Sequence, residues 1–212
     1  SEHKPPQAPL TEFQIRNANH YLLRSLLKKH LITPALCQHV PDDTALLKEC
    51  LNSALKTDIV IINGGVSAGD ADHVPSVLEH LGVNKIFHKV SMRPGKPLWF
   101  GETNGGTVVF ALPGNPLSCL TAFAVFIAPY LRSCLGIHDQ TMISYCINQT
   151  RQKKSPLTEF FPVSRADGDY VHLNPVNSSG DITAALHACG LGVQHADIPE
   201  IKAGTKIEIY PF

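Results

Sequence analysis

The sequence predicts an α/β domain with a largely parallel sheet, followed by a small, mostly β domain. Helical patterns alternate with apolar runs up to about residue 136, and short runs of alternating polarity separated by turn residues follow. The chain has 212 residues, which is long enough for one larger core and one smaller core. We therefore expect the first domain at residues 1–138 and the second at residues 139–212.

The first domain is expected to open with two helices and a short strand between them. The first helix is predicted from about Asn17 to His30, and the strand around Ala35 to Val40. Pro41-Asp42-Asp43-Thr44 is typical of a helix start, and it precedes apolar residues at helical spacing up to Leu55. Because no strand precedes the first helix, we expect the sheet to lack its first strand.

The central segment begins with a strand, Asp58 to Ile62, which runs into the glycine-rich loop Gly64–Asp72. A helix is predicted from Val74 to Leu81, ended by Gly82. The loop has two interpretations, and both stay open. It is a tight strand-to-helix connection in which an aspartate caps the helix, or a phosphate site in which glycines expose backbone N–H groups beside a helix N-terminus. Carboxylates beside a phosphate require a screening cation such as magnesium.

Three cations, Lys89, Arg93 and Lys96, follow within eight positions. A solvated strand edge is the ordinary interpretation of such a cluster. The segment Arg93-Pro94-Gly95-Lys96-Pro97 is stiff at its prolines, which suits cations aimed at an oxyanion or an acidic group of a ligand.

A second turn, Pro113-Gly114-Asn115-Pro116, lies between a strand from Thr107 to Leu112 and a long apolar helix. It is either a plain turn with proline at the helix start or a second rigid turn that presents backbone to a ligand. Ser118 lies at the same helix N-terminus and could donate a hydrogen bond. Parallel sheets place ligands beyond the carboxyl ends of their strands, where both glycine-bearing turns are expected.

Strands of the second domain are predicted over Met142–Asn148, Phe160–Ser164, Tyr170–Leu173 and Lys206–Tyr210. A short helix is predicted over Ile182–Cys189, ended by Gly190.

Composition narrows the class of protein. The 18 basic and 18 acidic residues balance, which gives no sign of nucleic-acid or acidic-membrane binding. Six cysteines form no CxxC pair, which favours reduced thiols in the cytoplasm. The apolar run Leu117 to Leu131 is shorter than a membrane span, and no secretory leader opens the sequence.

Three ordered motifs resemble the molybdopterin molybdenumtransferase family, which includes bacterial MoeA and the E domain of gephyrin. They are Gly64-Gly65-Val66-Ser67-x-Gly69-x-x-Asp72, Lys89-x-x-x-Arg93-Pro94-Gly95-Lys96-Pro97 and Leu112-Pro113-Gly114-Asn115-Pro116-x-Ser118. The three together are far more specific than any one of them. The resemblance covers essentially the whole chain and corresponds to the C-terminal portion of the family.

The resemblance implies a three-layer α/β/α molybdopterin-binding domain, normally preceded by two domains that build a homodimer. The implied reaction is insertion of molybdate into adenylylated molybdopterin, with magnesium-dependent release of AMP, in the cytoplasm. The partners it implies are these small molecules and the molybdopterin adenylyltransferase.

The resemblance also implies site residues, position by position. The acidic active-site positions fall on Glu2, Asp42 and Asp72, of which Asp42 and Asp72 would bind magnesium. Lys89 and Arg93 complete the catalytic set, and Arg93 stands where a lysine is usual. The positions that would bind the cofactor precursor are Gly64, Gly65, Ser67, Gly69, Lys96, Pro113, Gly114, Asn115, Pro116 and Ser118.

Two other functions stay open at this point: a non-catalytic molybdopterin-binding or scaffold module, and the related molybdopterin adenylyltransferase. The acidic residues together with Lys89 favour chemistry, because scaffolding alone does not need them. The Pro113–Pro116 turn and the appended β domain argue against the adenylyltransferase.

Overall fold

The computed structural model describes residues 3–4, 9, 11, 15–16, 18–66, 73–137 and 143–212. The chain divides into two compact units. Unit 1 contains residues 1–89 and 97–114, and unit 2 contains residues 90–96 and 115–212. The chain passes from one unit to the other more than once, so each unit consists of two segments. The domain limits 1–138 and 139–212 stay a prediction.

The described residues contain five α-helices, one π-helical turn and one 3₁₀ turn. The α-helices are α1 (Ala18–Lys29), α2 (Thr44–Ala54), α3 (Val74–His80), α4 (Pro116–Ala122) and α5 (Ala128–Cys134). The π turn is Phe123–Ile127 and the 3₁₀ turn is Ile182–Ala185. The 3₁₀ turn is shorter than the helix predicted up to Cys189, because the N–H of Cys189 donates to the carbonyl oxygen of Val163 over 2.8 Å and not to a helical carbonyl group.

The described residues also contain fourteen strands, several of them only two residues long. They are β1 (His3–Lys4), β2 (Ile15–Arg16), β3 (Ile59–Asn63), β4 (Val83–His88), β5 (Met92–Arg93), β6 (Trp99–Thr103), β7 (Val108–Leu112), β8 (Ile143–Ile147), β9 (Arg151–Gln152), β10 (Thr158–Arg165), β11 (Tyr170–Leu173), β12 (Gly190–Gln194), β13 (Glu200–Ile201) and β14 (Lys206–Tyr210).

Unit 1 is built on a four-stranded sheet in the order β3-β7-β6-β4. Strands β3 and β7 are parallel, whereas the β7–β6 and β6–β4 pairs are antiparallel. The mixed α/β class is confirmed, but the prediction of a mostly parallel sheet is not. The reason is local: only a short turn after Thr103 joins β6 to β7, and it leaves no room for the crossover helix that a parallel pair needs.

The helices of unit 1 follow the predicted signals. The Oδ1 atom of Asp43 accepts hydrogen bonds from the backbone N–H groups of Ala45 (2.8 Å) and Leu46 (3.0 Å), so it caps α2 as the aspartate pattern predicts. Gly82 follows α3 with a φ of +81°, in the left-handed region where glycine ends helices. The apolar faces of α2, β3, α3, β6 and β7 share one core, which includes Leu51, Val60, Leu78, Trp99 and Val109.

The strand predicted around Ala35 to Val40 is wrong. The backbone there has no regular secondary structure, and residues 35–39 are exposed. A strand needs a neighbouring strand to satisfy its backbone groups, and the pairs among the described residues give this segment none.

In unit 2, five strands close into a barrel. The order β11-β8-β14-β12-β10 is completed by the pairing of β10 with β11. Strand β10 also pairs in parallel with β5, with Thr158 opposite Met92 and Glu159 opposite Arg93. Strands β8, β10, β11 and β14 confirm the predicted β character of this region, with Ile147, Val163 and Ile209 among the buried residues of its core.

A continuous helix of 19 residues, Pro116–Cys134, also belongs to unit 2. Its middle turn is π-helical just before Pro129, because proline has no N–H for the regular ladder and its ring crowds the preceding turn. Among the described residues it is the one helix long and apolar enough to cross a membrane, yet 61% of its apolar window is buried inside the protein. A buried core helix has the same length and composition, so these features carry no further conclusion.

Candidate functional site

The first glycine turn of unit 1 follows β3. Gly64 and Gly65 both have left-handed backbones, with φ values of +91° and +70°. The N–H of Gly64 donates to the carbonyl oxygen of Leu112 over 2.9 Å, which extends the β3–β7 pairing into the turn. A Cβ atom on Gly65 would lie 2.7 Å from Cγ2 of Val74, so this position needs glycine for two independent reasons.

Two asparagine side chains join this turn to the Pro113–Gly114 turn. The Nδ2 atom of Asn63 donates to the carbonyl oxygen of Pro113 over 2.8 Å. The Nδ2 atom of Asn19 donates both to Oδ1 of Asn63 (2.8 Å) and to the carbonyl oxygen of Gly114 (2.5 Å). The structure therefore brings Gly64, Gly65, Pro113 and Gly114 together within unit 1.

Sequence reasoning missed both asparagines. Asn63 is the last residue of β3 and stands directly before two glycines, which was a usable signal for a turn-stabilising side chain. Asn19 lies in an otherwise ordinary helix pattern, and its contact with Gly114 spans 95 residues, so no local pattern indicates it.

Lys89, the first predicted cation, lies just beyond the end of β4 in unit 1. Its backbone is in the left-handed region, with a φ of 72°, and its N–H donates to the carbonyl oxygen of Leu98 over 2.8 Å. The residue is exposed. A lysine rarely adopts this conformation, and such strained positions are enriched at functional sites.

In unit 2, Arg93 and Lys96 lie on a tight turn. The N–H of Val90 donates to the carbonyl oxygen of Lys96 over 2.9 Å, and both cations are exposed. Gly95 has a φ of +102°, and a Cβ atom there would lie 2.4 Å from Cε of Met92. Pairing with β10 fixes the backbone of Arg93 at the register opposite Glu159.

The start of the Pro116–Cys134 helix is bound by a loop that the sequence did not single out. The Nδ2 atom of Asn115 donates to Oγ of Ser179 over 2.7 Å, and the N–H of Leu117 donates to the carbonyl oxygen of Ser179 over 3.1 Å. Ser118 is 4% exposed. At least one N–H of this helix end is therefore used within the protein, and the hydroxyl proposed as a donor is buried.

Asp181 organises the Ser179 loop. Its carboxylate accepts hydrogen bonds from the backbone and side-chain nitrogens of Asn177 (3.2 and 3.0 Å) and from Oγ1 of Thr183 (2.5 Å). The hydrogen bond from Thr183, followed by those from Asn177, holds the pKa of Asp181 below its usual value. The carboxylate of Asp181 thus joins Asn177 and Thr183, which lie on either side of Ser179 in the sequence.

Of the three predicted acidic residues, Asp42 lies within the described part of the chain. Asp42 is exposed and immediately precedes the residue that caps α2. Glu2, Ser67, Gly69 and Asp72 lie outside the described residues. Within the described ranges, no group of three or more His, Cys, Asp or Glu side chains is arranged to hold a metal ion. Of the two predicted magnesium ligands, Asp42 lies in the described ranges and Asp72 does not.

The family described as "Probable molybdopterin binding domain" matches residues 9–133. The molybdopterin molybdenumtransferase of Staphylococcus aureus (strain Mu50) is 29% identical over 206 residues, which are 94% of this chain and 49% of that protein. The molybdopterin molybdenumtransferase of Nostoc sp. (strain PCC 7120) is 39% identical over 132 residues, which are 61% of this chain and 30% of that protein.

A solved structure shares the fold. The molybdopterin biosynthesis MoeA protein from Pyrococcus horikoshii is similar with a TM-score of 0.83 and 28% identity, over 99% of this chain and 51% of that one. The chain spans about half the length of the curated relatives it matches.

The fold, the matched residues and the paired turns define a class: this chain belongs to the family of molybdopterin-binding domains. Within that family it corresponds to the C-terminal portion of the molybdopterin molybdenumtransferase (MoeA) group, as the sequence motifs implied.

Proposed function

We propose that this chain carries the molybdopterin-binding part of a molybdenumtransferase, which inserts molybdate into adenylylated molybdopterin and releases AMP. The observation that carries the proposal is the pairing of the two glycine-bearing turns at the ends of β3 and β7. Glycine turns at strand ends let a ligand approach the backbone closely, and such strand ends are where α/β sheets bind ligands.

The cations supply the charge that such a ligand needs. Molybdate and the phosphates of adenylylated molybdopterin are anionic, and Lys89, Arg93 and Lys96 are exposed cations. We assign Lys89 and Arg93 to the catalytic set and Lys96 to ligand binding. The glycines of the first turn, with Ser67 and Gly69, and the residues from Pro113 to Pro116, with Ser118, complete the proposed binding set.

The acidic residues Glu2, Asp42 and Asp72 are proposed as catalytic, with Asp42 and Asp72 as magnesium ligands. A magnesium ion bound there would neutralise phosphate charge and favour the release of AMP.

The curated relatives are about twice as long as this chain. We propose a cytoplasmic enzyme that is a homodimer in its full-length form and receives its substrate from the molybdopterin adenylyltransferase. Residues 1–138 and 139–212 are its proposed domains in this portion.

The proposal is tested by titrating the 212-residue chain with molybdopterin, and separately by supplying adenylylated molybdopterin and molybdate and measuring AMP. We expect binding, and AMP release that depends on molybdate. Lys89→Ala is expected to weaken binding about tenfold, which corresponds to about 1.4 kcal/mol. Lys85→Ala is the matched control, because Lys85 is an exposed cation of β4 that pairs with Glu79.

For the acidic residues, Asp72→Asn is compared with Asp167→Asn, which changes an exposed aspartate in the β10–β11 turn. We expect loss of AMP release only in Asp72→Asn. Binding without any AMP release in the unmodified chain would reduce the function to that of a non-catalytic molybdopterin-binding module. Absence of both binding and AMP release would overturn the proposal.

A further inference from the structure

The hydrogen bonds of Asn19 and Asn63 form a directed chain across unit 1. Asn19 donates to Asn63, and Asn63 donates to the Pro113 carbonyl oxygen, each over 2.8 Å. Asn19 also donates to the Gly114 carbonyl oxygen over 2.5 Å. Two donated bonds therefore run from these side chains into one turn, and a third joins the two side chains. Asn63 stands at the end of the strand that leads into the other turn.

The direction of this chain is fixed by its ends. A backbone carbonyl oxygen can only accept, so the atoms facing Pro113 and Gly114 must be the amide nitrogens. This orientation leaves Oδ1 of Asn63 facing Nδ2 of Asn19 as an acceptor. Both protons of the Asn19 amide are then used, and the two asparagines cannot be flipped without losing bonds.

This arrangement leaves one buried oxygen atom of Asn19 unpaired among the described residues. The residue is 5% exposed, and its Oδ1 atom has no hydrogen-bond partner among the residues that the structure describes. An unpaired buried acceptor costs free energy, and an apolar side chain would avoid that cost. The amide nitrogen of Asn19 joins the Pro113–Gly114 turn to Asn63 and so fixes their relative position.

The backbones of the two turns lie close together. A Cβ atom on Gly114 would be 3.8 Å from Cα of Gly64. Because glycine has no side chain that could fix the distance between the two backbones, the spacing of the turns depends on the groups that join them. The N–H of Gly64 joins them on one side through Leu112, and the asparagine pair joins them on the other.

From this geometry, we infer that Asn19 and Asn63 are positioning residues that hold the Gly64–Gly65 turn and the Pro113–Gly114 turn at the spacing a bound ligand requires. The inference rests on the proposed function, because the ligand is molybdopterin. Neither side chain needs to touch it, and their effect is exerted through the two turns.

The test uses the 212-residue chain with Asn63→Ala, Asn19→Ala, the double variant and Asn84→Ala. Asn84 is the matched control, because it also forms a side-chain amide bond, to Asn104 over 2.8 Å, in an exposed part of unit 1. Molybdopterin affinity is measured at a temperature where every variant is fully folded. Hydrogen exchange of the peptides covering residues 60–66 and 110–116 is measured without ligand.

We expect Asn63→Ala to weaken molybdopterin binding about tenfold and to speed exchange at the N–H of Gly64, while Asn84→Ala changes either by less than twofold. The double variant should bind no more weakly than the worse single variant, because the asparagines act as one unit. Asn63 is exposed, so its variant is expected to fold even if Asn19→Ala does not.

The outcomes separate the two proposals. If the unmodified chain binds no molybdopterin, the proposed function fails, and the exchange data still test the coupling of the turns. If it binds molybdopterin, and Asn63→Ala alters neither affinity nor exchange, the asparagine inference is overturned while the proposed function stands. Faster exchange with unchanged affinity would also overturn it, since the side chains would then be structural only.

Discussion

Arg151 and Glu159 form an ion pair in unit 2, with Nη2 and Oε2 2.7 Å apart and side chains 14% and 3% exposed. The pair is well satisfied. The backbone N–H of Lys154 donates to Oε1 of Glu159 over 3.1 Å, the other arm of the guanidinium bonds to Gln194, and the guanidinium carbon lies 4.1 Å from the centroid of the Phe161 ring. Glu159 sits on β10 opposite Arg93, so the pair stiffens the strand that holds this proposed catalytic residue.

Breaking the pair should strongly destabilise the protein. Arg151→Ala leaves the carboxylate of Glu159 buried without its cation, and removal of one partner of a buried pair costs about 3–5 kcal/mol. Lys85→Ala is the control, because the Lys85–Glu79 bridge is exposed on both sides and is worth at most about 1 kcal/mol. Urea unfolding at pH 7 measures the free energy of unfolding of the two variants. Equal losses in the two variants would show that the buried pair has no special weight.

The same carboxylate makes stability depend on pH. Burial by itself would raise the pKa of Glu159, but the hydrogen bonds from Arg151 and Ser155 and the charge of Arg151 hold the pKa below its usual value of 4.5. A lowered folded-state pKa contributes stability that is present above the unfolded value and is lost as the pH falls through the folded value. We therefore expect the free energy of unfolding to decrease as the pH drops below about 4.5. In Glu159→Gln this part of the decrease should be missing, and an unchanged profile would contradict the assignment.

A position can require glycine because of its backbone conformation or because a side chain would collide with a neighbour, and Gly65 and Gly82 allow the two effects to be compared. Both have left-handed φ values, but a Cβ atom would meet Val74 at 2.7 Å only at Gly65, and nothing within 4 Å at Gly82. Gly82→Ala should cost about 1–2 kcal/mol of unfolding free energy from the backbone alone, and Gly65→Ala should cost a further 1–3 kcal/mol, roughly, from overpacking. Thermal unfolding measures both. Equal costs would mean that the Val74 side chain moves away freely.

Two variants of Lys89 should differ in stability but not in molybdopterin binding. Its φ of 72° disfavours any side chain, so Lys89→Gly should be more stable than Lys89→Ala by about 1 kcal/mol. Both variants lose the cation and should bind molybdopterin equally weakly. Chemical unfolding and a binding titration of the two proteins provide the comparison. A glycine variant no more stable than the alanine variant would show that the left-handed backbone carries no strain.

Several elements were predictable because their signal is local. Strands β11 and β14 have the predicted bounds, and β3 and β7 each begin one residue later than predicted. Helices α1, α2 and α3 also lie where apolar spacing and end signals indicate. The two glycine turns were predictable for the same reason, since glycine and proline restrict backbone geometry in a way that is visible in the sequence.

What was missed depends on tertiary contacts. Strand β4 has one buried residue followed by three exposed ones, so its sequence does not alternate as a half-buried strand should, and it pairs only because β6 lies beside it. Asn19, Asn63 and Ser179 act through partners 44 to 95 residues away. The burial of each cysteine also depends on the fold. Cys119 is buried, which raises its pKa to about 12, whereas Cys37 and Cys134 are exposed.

The path of the chain between its two compact units has a consequence for how the gene can be divided. The chain passes from one unit to the other after Lys89, Lys96 and Gly114, so no single cut leaves both units whole. A fragment ending near residue 138 would keep Met92 and Arg93 but lose Thr158 and Glu159, the residues that pair with them. Recombination that exchanges one unit for a homologous version therefore needs three crossover points.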